Sequence, residues 1–132
     1  MKRCRVLVVE DYDDVRCLIE NTLVHQGFRV ETVIDARKAR RLLERHGYHL
    51  AIVDVTLPGS EDGLSLARYL LPRVAAIIVT TGNHSNLERI RESGLPCLLK
   101  PFRLRDLSAL VDSSLHQANA PCWAPMRVAA GR

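Results

Sequence analysis

Aromatic residues are scarce in this chain: one Trp, three Tyr and two Phe among 132 residues. None of them interleaves with the basic residues, so the stacking platform that single-stranded nucleic acid needs is missing. Helix-turn-helix and zinc-finger patterns are missing too. Long apolar runs are also lacking. After Met1-Lys2-Arg3-Cys4 the first apolar stretch is only Val6 to Val9, and Glu10 and Asp11 end it. That is too short for a signal core or a membrane span. The four cysteines, Cys4, Cys17, Cys97 and Cys122, contain no Cys-x-x-Cys pair and find no His-x₃-His partner. A zinc site is therefore not expected, and reduced cytosolic thiols are.

What is present is an ordinary globular composition, 47% apolar and 26% charged, in a length that fits one domain. The net charge of +4 comes largely from Arg37, Lys38, Arg40, Arg41 and Arg45. These basic residues share a helix with apolar Ala36, Ala39, Leu42 and Leu43. A solvated helix face is the plain reading. A docking patch for an acidic partner comes second and nucleic acid a distant third.

Hydrophobic period alternates along the chain. Val6 to Val9 reads as a strand buried on both faces. Val15, Leu18, Ile19, Thr22 and Leu23 then form one helical stripe within residues 12–26, which Gly27 stops. Phe28 to Val33 is a second strand. Asp35 caps a helix over 36–46 that Gly47 ends. His49 to Val53 delivers Asp54, and Thr56 to Asp62 is a loop by composition. A helix over 63–71 leads to a fourth strand, Ala75 to Val79. Ser85 and Glu88 have capping-box spacing for a helix over 86–93, closed by Gly94. Cys97 to Leu99 is the fifth strand, and Leu107, Leu110, Val111 and Leu115 mark the last helix. Residues 117–132 carry no periodicity, so a tail without a second domain behind it is expected. Five strands alternating with five helices imply an α/β fold with a doubly wound parallel sheet.

Polar residues collect where those strands end: Glu10 and Asp11, Asp54, Thr80 and Thr81, and Lys100. Parallel strands set such ends side by side, which is where doubly wound sheets bind ligands. Clustered carboxylates repel unless a cation joins them. A few carboxylates with water suit Mg²⁺. Asp54 is the candidate nucleophile for phosphoryl transfer, Lys100 supplies a point charge and Thr80 a hydroxyl donor.

The motifs Val8-Val9-Glu10-Asp11, Val53-Asp54-Val55-Thr56-Leu57-Pro58-Gly59, Val79-Thr80-Thr81-Gly82 and Leu99-Lys100-Pro101-Phe102 resemble the receiver domain of response regulators, over residues 4–116. The resemblance implies a flavodoxin-like sheet of order 2-1-3-4-5 and a receiver domain over residues 1–116. It implies phosphorylation of Asp54 and contact of Thr80 and Lys100 with the phosphoryl group. Mg²⁺ would be bound by Asp11, Asp54 and the backbone carbonyl of Thr56, with Glu10 acting through a metal-bound water. A cis Lys100-Pro101 bond is implied as well. The implied partners are a sensor histidine kinase or histidine phosphotransfer protein and a downstream protein target. The implied setting is the cytoplasm, and the implied role is a phosphoacceptor rather than an enzyme. The fourth helix, fifth strand and fifth helix would form the output face, with Arg89, Arg91, Arg103 and Arg105 making it basic. The first helix, around Val15 and Leu18, is the competing face.

The sequence departs from that family in having Cys97 where an aromatic residue usually acts as the switch. Cysteine is small and commonly buried, so Cys97 is expected to stay inside. Gly82 leaves water access to the phosphoryl group ungated. Shorter segments on either side of Thr80 predict a truncated third helix and an altered fourth. Three other readings compete. An aspartyl-phosphate phosphatase of the haloacid dehalogenase kind needs a second carboxylate where Thr56 stands. A pseudo-receiver would not need Asp11, Asp54 and Lys100 together. A flavin-binding flavodoxin would not place Glu10-Asp11-Tyr12-Asp13-Asp14 against a phosphate.

Overall fold

The computed structural model describes residues 4–59, 61–120 and 122. Met1, Lys2 and Arg3 of the basic start, Ser60 of the loop after Asp54, and residues 121 and 123–132 of the expected tail lie outside the described residues. The chain runs β1 (Arg5–Val9), α1 (Asp13–His25), β2 (Arg29–Val33), α2 (Ala36–Arg45), β3 (Leu50–Asp54), α3 (Gly63–Leu70), β4 (Ala76–Thr81), a 3₁₀ turn (His84–Asn86), α4 (Leu87–Ser93), β5 (Cys97–Leu99) and α5 (Leu104–Gln117). All strand pairs are parallel, in the order β2-β1-β3-β4-β5. The α/β doubly wound sheet expected from the alternation is what the chain forms.

Side chains along a strand alternate between the two faces. Leu7, Val9, Ala51, Val53, Ile77 and Val79 therefore face one side, where they meet Ala36 and Ala39 of α2, Leu66 and Leu70 of α3, and Ile90 of α4. Val6, Val8, Leu50, Ile52, Ile78 and Leu98 face the other, against Ile19 and Leu23 of α1 and Leu107, Val111 and Leu115 of α5. Cover on both faces is why these strands read as unbroken apolar runs. The stripe on α1 is narrower than its period suggests: Ile19 and Leu23 are buried, but Leu18 is 46% exposed.

Helix ends agree in part with the expected signals. Asp35 caps α2 by accepting from Lys38 N at 2.8 Å. Gly27 and Gly94 take the positive φ that ends α1 and α4. The capping box from Ser85 to Glu88 does not form. A 3₁₀ turn intervenes, and Asn83 caps it by accepting from Ser85 N at 2.9 Å. Extended backbone at His46, rather than Gly47, ends α2. Helix α5 runs on to Gln117, and Ala120 and Cys122 are buried against the core, so these residues past 116 pack with the domain.

The cysteine reading needs correction. Cys4 and Cys122 form a disulfide, while Cys17 and Cys97 remain thiols. Sequence spacing did not suggest the pair because 118 residues separate the two, and only the return of the chain after α5 brings them together. Cys97 is half-buried rather than enclosed, and burial pushes its thiol pKa up.

The basic row on α2 is also less uniform than a solvated face. Arg37, Lys38, Arg41 and Arg45 are exposed. Arg40 instead forks onto Glu61 through Nε (2.9 Å) and Nη2 (2.5 Å) and stacks 3.9 Å from the Tyr69 ring centroid. Hydrogen bonds from Arg40, aided by its charge, hold the Glu61 carboxyl below its ordinary pKa against the opposing effect of burial. A carboxyl whose folded pKa is depressed adds stability above its unfolded pKa, about 4.3, and loses it as pH falls through the folded value. Glu61→Gln should thus cost about 1 kcal/mol or less at pH 7, as for other partly exposed pairs. Urea melts at pH 7 and at about pH 3 check the sign: the difference from wild type should shrink in acid. A gap that widens in acid would contradict the assignment.

Candidate functional site

Parallel register brings the ends of four strands together. Asp54, the last residue of β3, lies opposite Thr80 of β4, and Val9 lies opposite Val53, so Glu10 emerges beside Asp54. Lys100 follows β5 directly, and its N–H donates to Thr81 O at 2.8 Å. The Lys100-Pro101 peptide is cis. The Lys100 ammonium donates to Glu10 Oε1 at 2.7 Å and to Asp54 Oδ2 at 2.9 Å. Asp54 Oδ1 accepts from Thr56 N at 3.0 Å, and Glu10 Oε2 accepts from Tyr12 N at 3.0 Å. Glu10 and Asp54 are 1% and 5% exposed, whereas Asp11 is open to solvent. Thr80 is buried beside Asp54.

Carboxylate oxygens of Glu10, Asp11 and Asp54 all lie within 4.8 Å of one another. Burial raises the pKa of Glu10, and the charge of Asp54 adds to the rise, while Lys100 and the Tyr12 N–H oppose it. For Lys100, burial alone would depress the ammonium. The hydrogen bonds and charges of Glu10 and Asp54 together outweigh it and hold the pKa above its ordinary value. Three carboxylates facing one ammonium leave negative charge in excess on the open Asp11 side, and this oxygen-only donor set fits a hard divalent cation.

All the residues expected at the strand ends converge here. Others carry no sequence signal that would have singled them out. Arg16 of α1 reaches back to the carbonyls of Glu10 (3.2 Å) and Asp11 (3.5 Å) and to Asp13 Oδ1 (2.5 Å), tying down the acidic turn. Asn86 donates to Thr56 Oγ1 (3.4 Å) and Thr81 Oγ1 (3.2 Å), and Arg89 pairs with Asp62 at 2.7 Å. These bonds join the start of α4 to the loop that follows Asp54. Gly63 N donates to Val55 O at 2.8 Å, and the glycine rests directly on the Asp54 carbonyl.

The carboxyl edge of this doubly wound sheet thus gathers three acids, a hydroxyl and a lysine, and comparison with known proteins gives the family. The family profile of the response regulator receiver domain matches residues 6–112. The chain belongs to this family. It is 37% identical to protein PetR of Rhodobacter capsulatus over 116 residues, 85% of this chain and 48% of that protein. It is 30% identical to the transcriptional regulatory protein TctD of Salmonella typhimurium, over 86% of this chain and 53% of TctD. The chain thus spans about half the length of these curated relatives. Among solved structures, a CheY-like receiver domain protein from Methanospirillum hungatei superposes with TM-score 0.78 at 25% identity, covering 89% of this chain and 97% of that one. The receiver domain of a Pseudomonas aeruginosa sensor histidine kinase, which has a magnesium ion coordinated in its active site cleft, superposes with TM-score 0.76 at 30% identity, covering 86% and 98%.

Proposed function

We propose that the chain is a phosphoacceptor in a two-component phosphorelay, taking a phosphoryl group from a histidine kinase or histidine phosphotransfer protein onto Asp54. The observation that carries this reading is the Asp54 carboxylate itself. It ends a buried strand, is hydrogen-bonded by Lys100 and the Thr56 N–H, and faces Glu10 and Asp11. An Asp54 oxygen attacks phosphorus, and the bond from phosphorus to the donor's leaving atom breaks as the acyl phosphate forms. Lys100, already at this carboxylate, turns its ammonium to the oxygens of the arriving group. The Thr80 hydroxyl, on the neighbouring strand, donates to one of them. Asp11, Asp54 and the Thr56 carbonyl would hold Mg²⁺, with Glu10 acting through a water. When bound, the ion would neutralise charge on the transferring group.

The receiver unit in this reading is residues 1–116, with 117–132 as its extension. The setting is the cytoplasm, where ATP-dependent kinases act. No helix among the described residues is long and apolar enough to cross a membrane. Exposed Tyr12 and Leu18 on and beside α1 border the site and offer a docking face for the phosphodonor. A downstream protein would bind the α4-β5-α5 face. There Arg89 and Arg91 are already paired with Asp62 and Glu88, which leaves exposed Arg103 and Arg105 to meet it.

Acetyl phosphate with millimolar Mg²⁺ provides the test. The wild-type intact mass should gain one phosphoryl group, weakly or not at all with chelator present. Asp54→Asn should stay at background. An unlabelled wild type would make the chain a pseudo-receiver, and undiminished labelling of Asp54→Asn would move the site elsewhere.

A further inference from the structure

The opposite edge of the sheet carries a second cluster that phosphoryl transfer does not use. Cys4 immediately precedes β1, whereas Glu10 follows it, so β1 holds the two about 20 Å apart at roughly 3.3 Å per residue. Past α5 the chain turns back. Asn119 takes a left-handed φ of 56°, and Ala120 N donates to Leu115 O at 3.1 Å. The turn delivers Ala120 and Cys122 onto the core face shared by Val6, Leu50 and Leu115. There the Cys122 sulfur is bonded to that of Cys4, with the Cα atoms 5.0 Å apart. Cys4 is 3% exposed and Cys122 9%.

His49 stands beside the pair, with a ring nitrogen within 4.8 Å of both sulfurs. Two thiolates and an imidazole are a soft donor set that would suit zinc. Two observations favour redox chemistry over a metal. The sulfurs are bonded to each other, and His49 Nδ1 already accepts the Arg5 N–H at 2.9 Å. A neutral ring accepting at Nδ1 carries its proton on Nε2 and has no second lone pair for a metal.

We propose that Cys4 and Cys122 are a reversible dithiol–disulfide site that exchanges with a low-molecular-weight disulfide such as glutathione disulfide, and that its oxidation state decides whether Ala120 and Cys122 are clasped to the start of β1. In the oxidising direction the Cys122 thiolate, the less buried of the two, attacks the small disulfide and expels one thiolate. Cys4 then attacks the Cys122 sulfur of the mixed disulfide and expels the second. Two protons leave the cysteines, two are taken up by the released thiols, and two electrons pass to the small disulfide. In a reducing compartment a disulfide of this kind is a transient, sensing one. Cys17 and Cys97, on α1 and β5, stay outside the exchange.

The experiment equilibrates the full chain in glutathione buffers from fully reduced to fully oxidised, followed by acid quench, alkylation and intact mass. Oxidised protein should take two alkyl groups and reduced protein four, with Cys4 and Cys122 joined in one disulfide-linked peptide. Cys122→Ser should take three at every ratio. Because the bond closes a loop of more than 100 residues, reduction should lower Tm by roughly 10 °C in wild type and not at all in Cys122→Ser. Four alkyl groups under every condition, a bond that recruits Cys17 or Cys97, or two groups even in excess reduced glutathione would each overturn the proposal. So would one zinc ion per reduced chain that blocks Cys4 and Cys122 from alkylation.

Discussion

Gly63→Ala should destabilise the fold by roughly 3 kcal/mol and slow labelling of Asp54 by acetyl phosphate at least tenfold. A carbon added at Gly63 would sit 1.9 Å from the Asp54 carbonyl oxygen and 2.7 Å from Val55 Cα. Both neighbours are backbone, so no side-chain rotamer can relieve the clash. Either α3 lifts away from the sheet, uncovering Leu66 and Leu70, or β3 shifts and takes the Asp54 carboxylate with it. Gly47→Ala is the control. Its added carbon meets nothing within 4 Å, and stability should move by less than about 0.5 kcal/mol. Denaturant midpoints and initial labelling rates for the two variants check this. Equal stability of the two would show that α3 does not rest on the strand end as described.

Lys100→Ala should have the other large effect. The ammonium is the one side-chain cation hydrogen-bonded to the carboxylates of Glu10 and Asp54 among the described residues, and both acids are almost fully enclosed. Removing one member of such a buried group leaves like charges facing each other in a poorly solvated place, at a cost of about 3 kcal/mol. The exposed Arg91–Glu88 pair, at 3.4 Å, would cost about 0.5 kcal/mol or less if broken, because water and salt screen it. Labelling should fall on the order of 100-fold, since the charge proposed to meet the phosphoryl oxygens is gone. Millimolar Mg²⁺ should raise the denaturation midpoint of Lys100→Ala more than that of wild type, because the cation replaces the missing positive charge. No response to Mg²⁺ in either protein would count against cation binding by the Glu10, Asp11 and Asp54 cluster.

Much of this protein was legible before folding. Val6 to Val9 and Leu50 to Val53 are apolar without a break because both faces of their strands are covered, and that pattern is local. The site was legible for a related reason. Glu10, Asp11, Asp54, Thr80 and Lys100 each stand where an apolar strand stops, and parallel pairing carries any such residues to one edge. Periodicity and strand direction therefore determined the architecture and the candidate site together.

Other features depended on contacts that leave no periodic trace. The Cys4–Cys122 bond required the turn after α5 to bring back a segment 118 residues away. Arg40 was indistinguishable from Arg37 and Arg41 in sequence until α3 brought Glu61 and Tyr69 against it. Leu18 matched the apolar stripe of α1, yet the folded chain leaves it 46% exposed. Gly63 read as no more than the first residue of a helix until α3 settled onto the carbonyl of Asp54. Sequence alone thus determined which residues alternate and where strands end, because those properties repeat along the chain. Only the tertiary structure decided which distant side chains meet, because that depends on how far each helix sits from the sheet and where the chain turns back.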